Sequence, residues 1–548
     1  MFLYKVNFHE FFLVCTFLYV WEINKYDQKK HTTALLFLFI TLFFFSQNKN
    51  VSTGNIFDGE PYLAVNHTNS QHMVVAWMGY LPFSKVYIKT KVTFDGGNTW
   101  SSLKTIPHVK LGFGSADPSI AFDNTGNVFL AYIDYSKVID SGAVYVVKST
   151  NGGLNWETPV EVINAHSDPG KYPVDRPWIS VDKSGGANNG NIYITSMPPK
   201  AFGPLLPPYR TYFAVSKNSG NSFTWRYLDS TNWLAGNIIA QPMPTNCVSS
   251  NGVFYGIYPS YMPSQSILPR YILASSSNGG NSFLYHTVFS STRAVKDSLA
   301  KKGYLIRSNP SDSNHLAFIY LDVLHGDMDV FLRESKNGGT TWNSPIRIND
   351  DPIANNRMQD LLWADFDADG DLVISWRDRR NGADSTYKSS TEIWASVRKK
   401  DSTNFSANFK ISNSLVVHDT ILEFTGNDFM CIDLQNDTIS AVWGDTRNGK
   451  LNIWFQRVLL DGTLVSIQQI NSEEAPELTI YPNPFVSNIE IKGGNVDKIL
   501  IYNQNGKLIF TQTKINSSKI NLDLLPKGIY ILNIFTENGN LSRKIVKQ

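Results

Sequence analysis

The chain has 548 residues, of which 42% are hydrophobic and 18% charged, with 49 Lys+Arg against 47 Asp+Glu for a formal net charge of +2. That length asks for more than one domain, and the composition is globular rather than disordered. The near-neutral balance excludes a basic field able to hold nucleic acid, and three cysteines are too few for a disulfide framework.

In chain order, residues 1–28 hold an apolar patch from Phe11 to Trp21 flanked by Glu10 and Glu22. We read them as a leader upstream of the true start, with a two-part membrane anchor as the alternative. Residues 29–47 read as a signal peptide: Lys29-Lys30-His31, an apolar run from Ala34 to Phe45, then Ser46-Gln47. The run is short for a bilayer span, so no transmembrane domain is expected in the mature protein. Of the cysteines, Cys15 lies in the leader, and Cys247 and Cys431 read as two separate buried thiols.

Residues 52–471 are repetitive. An octapeptide recurs as Thr93–Trp100, Ser149–Trp156, Ser216–Phe223, Ser276–Phe283 and Ser335–Trp342. Its third-position Asp or Asn is suited to accept a backbone N–H two residues on, and its fifth-position Gly to supply a positive φ. Apolar alternation precedes each copy, as in Ala143-Val144-Tyr145-Val146-Val147, so each copy is the turn of a hairpin. Each unit opens on a polar residue and two apolar strands: Glu60 to Val65 then Val74 to Trp77, Asp117 to Phe122 then Val128 to Ile133, Asp175 to Val181 then Ile192 to Ile194. Further units begin near Gln241, at Tyr304, at Gln359 and at Asp428, which makes seven, or six if the fifth or seventh is misread.

After a linker at 472–477, residues 478–548 carry Tyr481-Pro482-Asn483-Pro484, Leu525-Pro526-Lys527-Gly528-Ile529-Tyr530 and a Lys-rich last strand ending at Lys547. Short alternating strands between them suggest a small immunoglobulin-like β-sandwich.

The octapeptide resembles the Asp-box, or BNR repeat, of sialidase-like β-propellers (Ser-X-Asp-X-Gly-X-Thr-Trp). The resemblance implies an all-β propeller whose boxes join the third and fourth strands of a blade, away from the active face. The C-terminal motifs resemble the type A sorting domain of the type IX secretion system. That resemblance implies handling by this machinery through residues 478–548 and delivery to the outer-membrane surface of a Gram-negative bacterium, or secretion. The sialidase likeness stops at chemistry. Where sialidases carry Phe/Tyr-Arg-Ile-Pro, this chain has Gly59-Glu60-Pro61-Tyr62; the stretch 78–85 contains no Asp; and seven units replace the usual six.

Propeller ligands bind where inner strands begin and second strands end. Glu60, Asp117 and Asp175 are therefore the candidate catalytic carboxylates, about 5–10 Å apart if they hydrolyse glycosides. Arg176, Arg307, Asp360, Arg377, Asp378 and Asp445 are the candidate ligand-binding residues. Asp378 and Asp445 lie in echoing segments, Trp376-Arg377-Asp378-Arg379-Arg380 and Trp443-Gly444-Asp445-Thr446-Arg447, where a loop-closing role competes. Asp365, Asp367 and Asp369 have the spacing of a calcium loop but lack its closing Glu, so calcium competes with a decorated turn and no cofactor is required. The sequence supports a glycan-directed surface protein with a glycan or glycoprotein ligand. The alternative is a non-catalytic glycan or protein binder, adhesin-like or structural.

Overall fold

A computed structural model describes residues 48–548, apart from 55, 82–84, 138–140, 165, 169–174, 199–209, 236–243, 263, 292–302, 418–426, 466–477, 494–495, 504–507, 514–518 and 537–538. The leader, the signal peptide, Gln241 and the linker fall outside the described residues. Every regular element among the described residues is a β-strand, and among them no helix is long and apolar enough to cross a membrane.

The described residues within 49–459 form seven antiparallel four-stranded sheets. Six are consecutive in sequence. Their first strands are Asp58–Asn66, Gly114–Phe122, Asp175–Val181, Thr245–Val248, Tyr304–Asn309 and Gln359–Phe366. The seventh begins with Cys431–Gln435 and takes its outer strand from the far end of the chain. Lys49–Asn50 pairs with Asn452–Leu459, in the register Lys49↔Phe455 and Asn50↔Trp454. The first strand of each sheet lies beside that of the next, and the seventh returns to the first. One cavity of about 200 Å³ is lined by first-strand residues of all seven sheets, among them Tyr62, Ile120, Trp178, Asn246, Arg307, Trp363 and Asp433.

This arrangement explains the apolar runs. A second strand such as Asn69–Tyr80 is covered on both faces by neighbouring sheets, so Met73 to Trp77 are all buried and alternation disappears. The fourth strands, such as Lys104–Thr105 and Ile346–Arg347, are short and half exposed. Cys247 and Cys431 are buried and unbridged.

Each octapeptide starts on the last residue of a third strand and ends before the fourth. The hydrogen bonding differs from the simple turn expected. The first-position hydroxyl accepts from the fifth-position Gly N–H, as in Gly97 to Thr93 at 2.9 Å and Gly280 to Ser276 at 2.9 Å. The third-position side chain accepts from the seventh-position N–H, four residues on rather than two: Thr99 to Asp95 at 2.8 Å and Asn155 to Asn151 at 2.9 Å. The fifth-position Gly has φ of +81° at Gly280, and a Cβ there would lie 2.3 Å from the Phe213 ring of the preceding sheet. The motif therefore closes a hairpin and seats it against the neighbouring sheet.

The described residues within 479–547 form two further sheets, one of three strands and one of four, around a core containing Phe485, Ile489, Ile501, Leu532 and Ile545. The Tyr530 hydroxyl donates to Pro526 O, closing the Leu-Pro-Lys-Gly-Ile-Tyr turn. The Lys547 ammonium is buried and donates to Leu522 O and Asp523 O, so the basic end of the chain stitches this domain together.

Candidate functional site

Four first strands begin with the same distortion. The register slips between Gly59 and Tyr62, Ala116 and Ser119, Asp175 and Trp178, and Asp360 and Trp363. Within each bulge one residue is left-handed: Glu60 at φ +55°, Asp117 at +52°, Arg176 at +53° and Leu361 at +46°. Proline follows the first three, which removes a ladder donor and pushes the preceding residue out of the right-handed helical region. A bulge re-aims its extra side chain, at a conformational cost of about 1–2 kcal/mol for a non-Gly residue.

Three of these side chains meet. Asp117 hydrogen-bonds both Glu60 and Asp175. Arg176 sits beside them, with Nε 3.8 Å from Asp175 Oδ2, and its Nη2 donates to Asp428 Oδ2, from the segment preceding the first strand of the seventh sheet. The Phe429 ring lies 5.9 Å from the guanidinium. All five polar residues are buried. Burial and then the charge of Glu60 raise the Asp117 carboxyl, against the opposing pull of Asp175 and Arg176, to about 8. Burial and then Asp117 hold Asp175 well above the usual carboxylate range. Like charges sharing one desolvated site cannot all ionise, so the group stores protons at neutral pH.

The hydrogen bonds make Glu60, Asp117 and Asp175 a contiguous array. The other sequence candidates lie elsewhere. Arg307 belongs not to this cluster but to the central cavity, two residues past the level of the bulges. It donates to Ala364 O at 2.9 Å, lies 3.8 Å from Asp365 and packs near the rings of Trp178 and Trp363. Those two rings and Tyr62 form an aromatic layer with centroids 5.1–5.6 Å apart. Asp360 accepts from Arg377 Nε and Nη2 at 2.7 and 2.5 Å and from Arg379 at 3.1 Å, and these two guanidinium groups hold its carboxyl well below the usual range despite burial. Asp378 accepts from the Trp376 indole at 2.6 Å and from Arg380. Asp445 repeats this with Trp443 at 2.8 Å and Arg447. The echoing segments are thus one loop-closing device used twice.

The three carboxylates of the calcium-like spacing diverge. Asp365 accepts from Leu434 N, Asp367 from Asp437 N, and Asp369 pairs with Lys400 at 3.1 Å, so the three carboxylates serve separate partners. Among the described residues no group of three or more His, Cys, Asp or Glu is placed to hold a metal ion. Asp428 was read from the sequence only as the start of the seventh unit and not as a site residue, because its partner Arg176 lies 252 residues away. Asp433 was also missed; burial, then the nearby Asp365, raises it to about 8 inside the central cavity.

Residues 479–548 match the family model described as the secretion system C-terminal sorting domain. The chain is therefore an exported protein, delivered to the outer-membrane surface of a Gram-negative bacterium or secreted. No curated protein sequence matches it. Among solved structures it is similar to a protein of unknown function from Dyadobacter fermentans, at 15% identity over 64% of this chain and 96% of that one, with a TM-score of 0.43. It is also similar to an α-L-arabinofuranosidase of Fusarium graminearum, at 14% identity over 76% and 98%, TM-score 0.42. A sialidase from Streptococcus pneumoniae aligns at 13% identity over 76% and 70%, TM-score 0.38.

Proposed function

We propose that the chain is an exported seven-bladed β-propeller of Asp-box repeats that binds glycans where the first strands begin. The observation that carries this reading is the convergence of Glu60, Asp117, Asp175 and Asp428 on Arg176. Strained bulges that aim buried polar groups at one point suit a ligand site rather than a packing role. Asp117 keeps its proton to about pH 8, so it is suited to donate to a glycosidic oxygen, with Glu60 as the partner carboxylate. A second reading, binding without hydrolysis, is favoured by the hydrogen bonding of Asp117 to both Glu60 and Asp175, which ties the carboxyl groups to one another.

The test is a glycan array together with a panel of chromogenic glycosides, using the exported chain and its Glu60→Gln, Asp175→Asn and Arg176→Ala variants. Binding that falls at least ten-fold in all three supports this site. Turnover abolished by Glu60→Gln with binding retained selects hydrolysis over simple binding. Binding unchanged in all three variants overturns the assignment.

A further inference from the structure

Arg176 faces four carboxyl groups, and its guanidinium is already engaged by Asp428 and Asp175. In the sixth sheet Arg377 and Arg379 both bind the one carboxylate of Asp360, a group separate from the contacts of Arg176. The cluster is also rich in acceptors. Asp175 is 7% exposed, and its Oδ1 is buried with no hydrogen-bond partner, a costly arrangement unless a ligand brings the donor.

We propose that this site selects sugars carrying a protonated amine and rejects carboxylated sugars; the proposal rests on the glycan reading above. An ammonium supplies three N–H donors and no acceptor, which matches an array of carboxyl oxygens. Its positive charge relieves the crowding of like charges that a neutral hydroxyl leaves in place. A uronic or sialic acid brings only acceptors and negative charge, and the bidentate arginine it would need is occupied.

Binding should also move protons. The groups facing the site are Glu60 from the first sheet, Asp117 and Tyr135 from the second, Asp175 and Arg176 from the third, and Asp428 leading into the seventh. A cation placed among them favours the ionised carboxylates, so a proton leaves Asp117 or Asp175 for the buffer as the amine enters.

The experiment is calorimetric titration of the full exported chain at pH 5.5, where the sugar amines arrive already protonated and exchange no proton of their own. The probes are β-1,4-glucosamine oligomers, their N-acetylated counterparts, oligouronates of equal length and a lysine oligopeptide, each in two buffers of different ionisation enthalpy. The expected result has three parts. The glucosamine oligomer binds at least ten-fold more tightly than its N-acetylated form and the oligouronate does not bind. About one proton is released per amine bound. Asp117→Asn and Asp175→Asn each bring the preference below three-fold. Proton release is read on the unmodified chain, so the proposal stays testable even if a variant misfolds. Oligouronate binding as tight as the amine, no proton release, or tighter binding of the lysine peptide overturns it. If the N-acetylated and amine forms bind equally and both depend on Glu60 and Arg176, the glycan site stands and this selectivity fails. If no sugar binds, the glycan reading fails as well.

Discussion

Replacing Asp117 by Asn should stabilise the protein, and by more as the pH rises. In the folded chain Asp117 holds its proton to about pH 8, whereas its ordinary value is 3.8. Between those two values the folded state binds more protons than the unfolded one, so stability falls as pH increases. At 1.36 kcal/mol per unit, the cost of keeping this one proton is about 3 kcal/mol at pH 6 and about 5 kcal/mol at pH 8, both upper bounds. Asn has nearly the shape of the protonated acid and carries no such cost. Urea unfolding of the exported chain and the Asp117→Asn variant at pH 5, 6.5 and 8 measures the difference. The variant should gain little at pH 5 and clearly more at pH 8, with a shallower fall between. A variant equally or less stable at pH 8, or an unchanged pH slope, would refute the buried-proton account.

Three further outcomes are expected. Gly280→Ala places a Cβ 2.3 Å from the Phe213 ring at φ +81°, and should cost about 3 kcal/mol from overpacking and the left-handed backbone; an unchanged urea midpoint would contradict the seating role of the octapeptide. Glu334 is raised by burial but brought down to about 2 by hydrogen bonds from Arg398 and His315. Arg398→Met should therefore lower stability at pH 7 by about 3 kcal/mol. That contribution is fully present above the ordinary value of 4.5 and is lost as pH falls toward 2, so the two proteins should converge in acid. Deleting residues 479–548 should leave the protein in the periplasm, and fractionation finding it at the surface would break the link between the sorting domain and export.

The repeats were legible because each octapeptide is a local device: hydroxyl, carboxamide and glycine all bond within eight residues, so spacing alone locates the third-to-fourth strand turn. The bulged residues were legible for a related reason. Glu60, Asp117 and Arg176 each precede a proline, and the dipeptide marks where the ladder breaks. What sequence could not supply was depth along the strand and the choice of partner. Arg307 has the polar character of the cluster but sits farther along its strand, against Ala364 O and the Trp363 ring. Asp360 and Arg377 both looked available, yet strand pairing sets them opposite each other and they neutralise one another. Asp428 reaches Arg176 across a separation of 252 residues, a pairing with no local signature.

The seventh sheet binds the two ends of residues 49–459 through a very small clasp. Besides the Lys49–Asn50 strand, Asn48 Nδ2 donates to Gln456 at 2.8 Å, Asn50 Nδ2 to Asn452 at 2.7 Å, and Val51 N to Ile453 O at 2.8 Å. Bringing these partners together joins segments about 400 residues apart, at an entropic cost of roughly 5 kcal/mol for a flexible chain. The clasp therefore cannot form early. It must await synthesis of the last strands and the assembly of six sheets that bring the ends near each other, which makes it a late event in folding. Once formed, it makes unfolding cooperative, since neither end can peel away without opening the other's sheet. Trimming Asn48 to Val51 should accordingly speed unfolding far more than folding, as expected for contacts made after the main barrier.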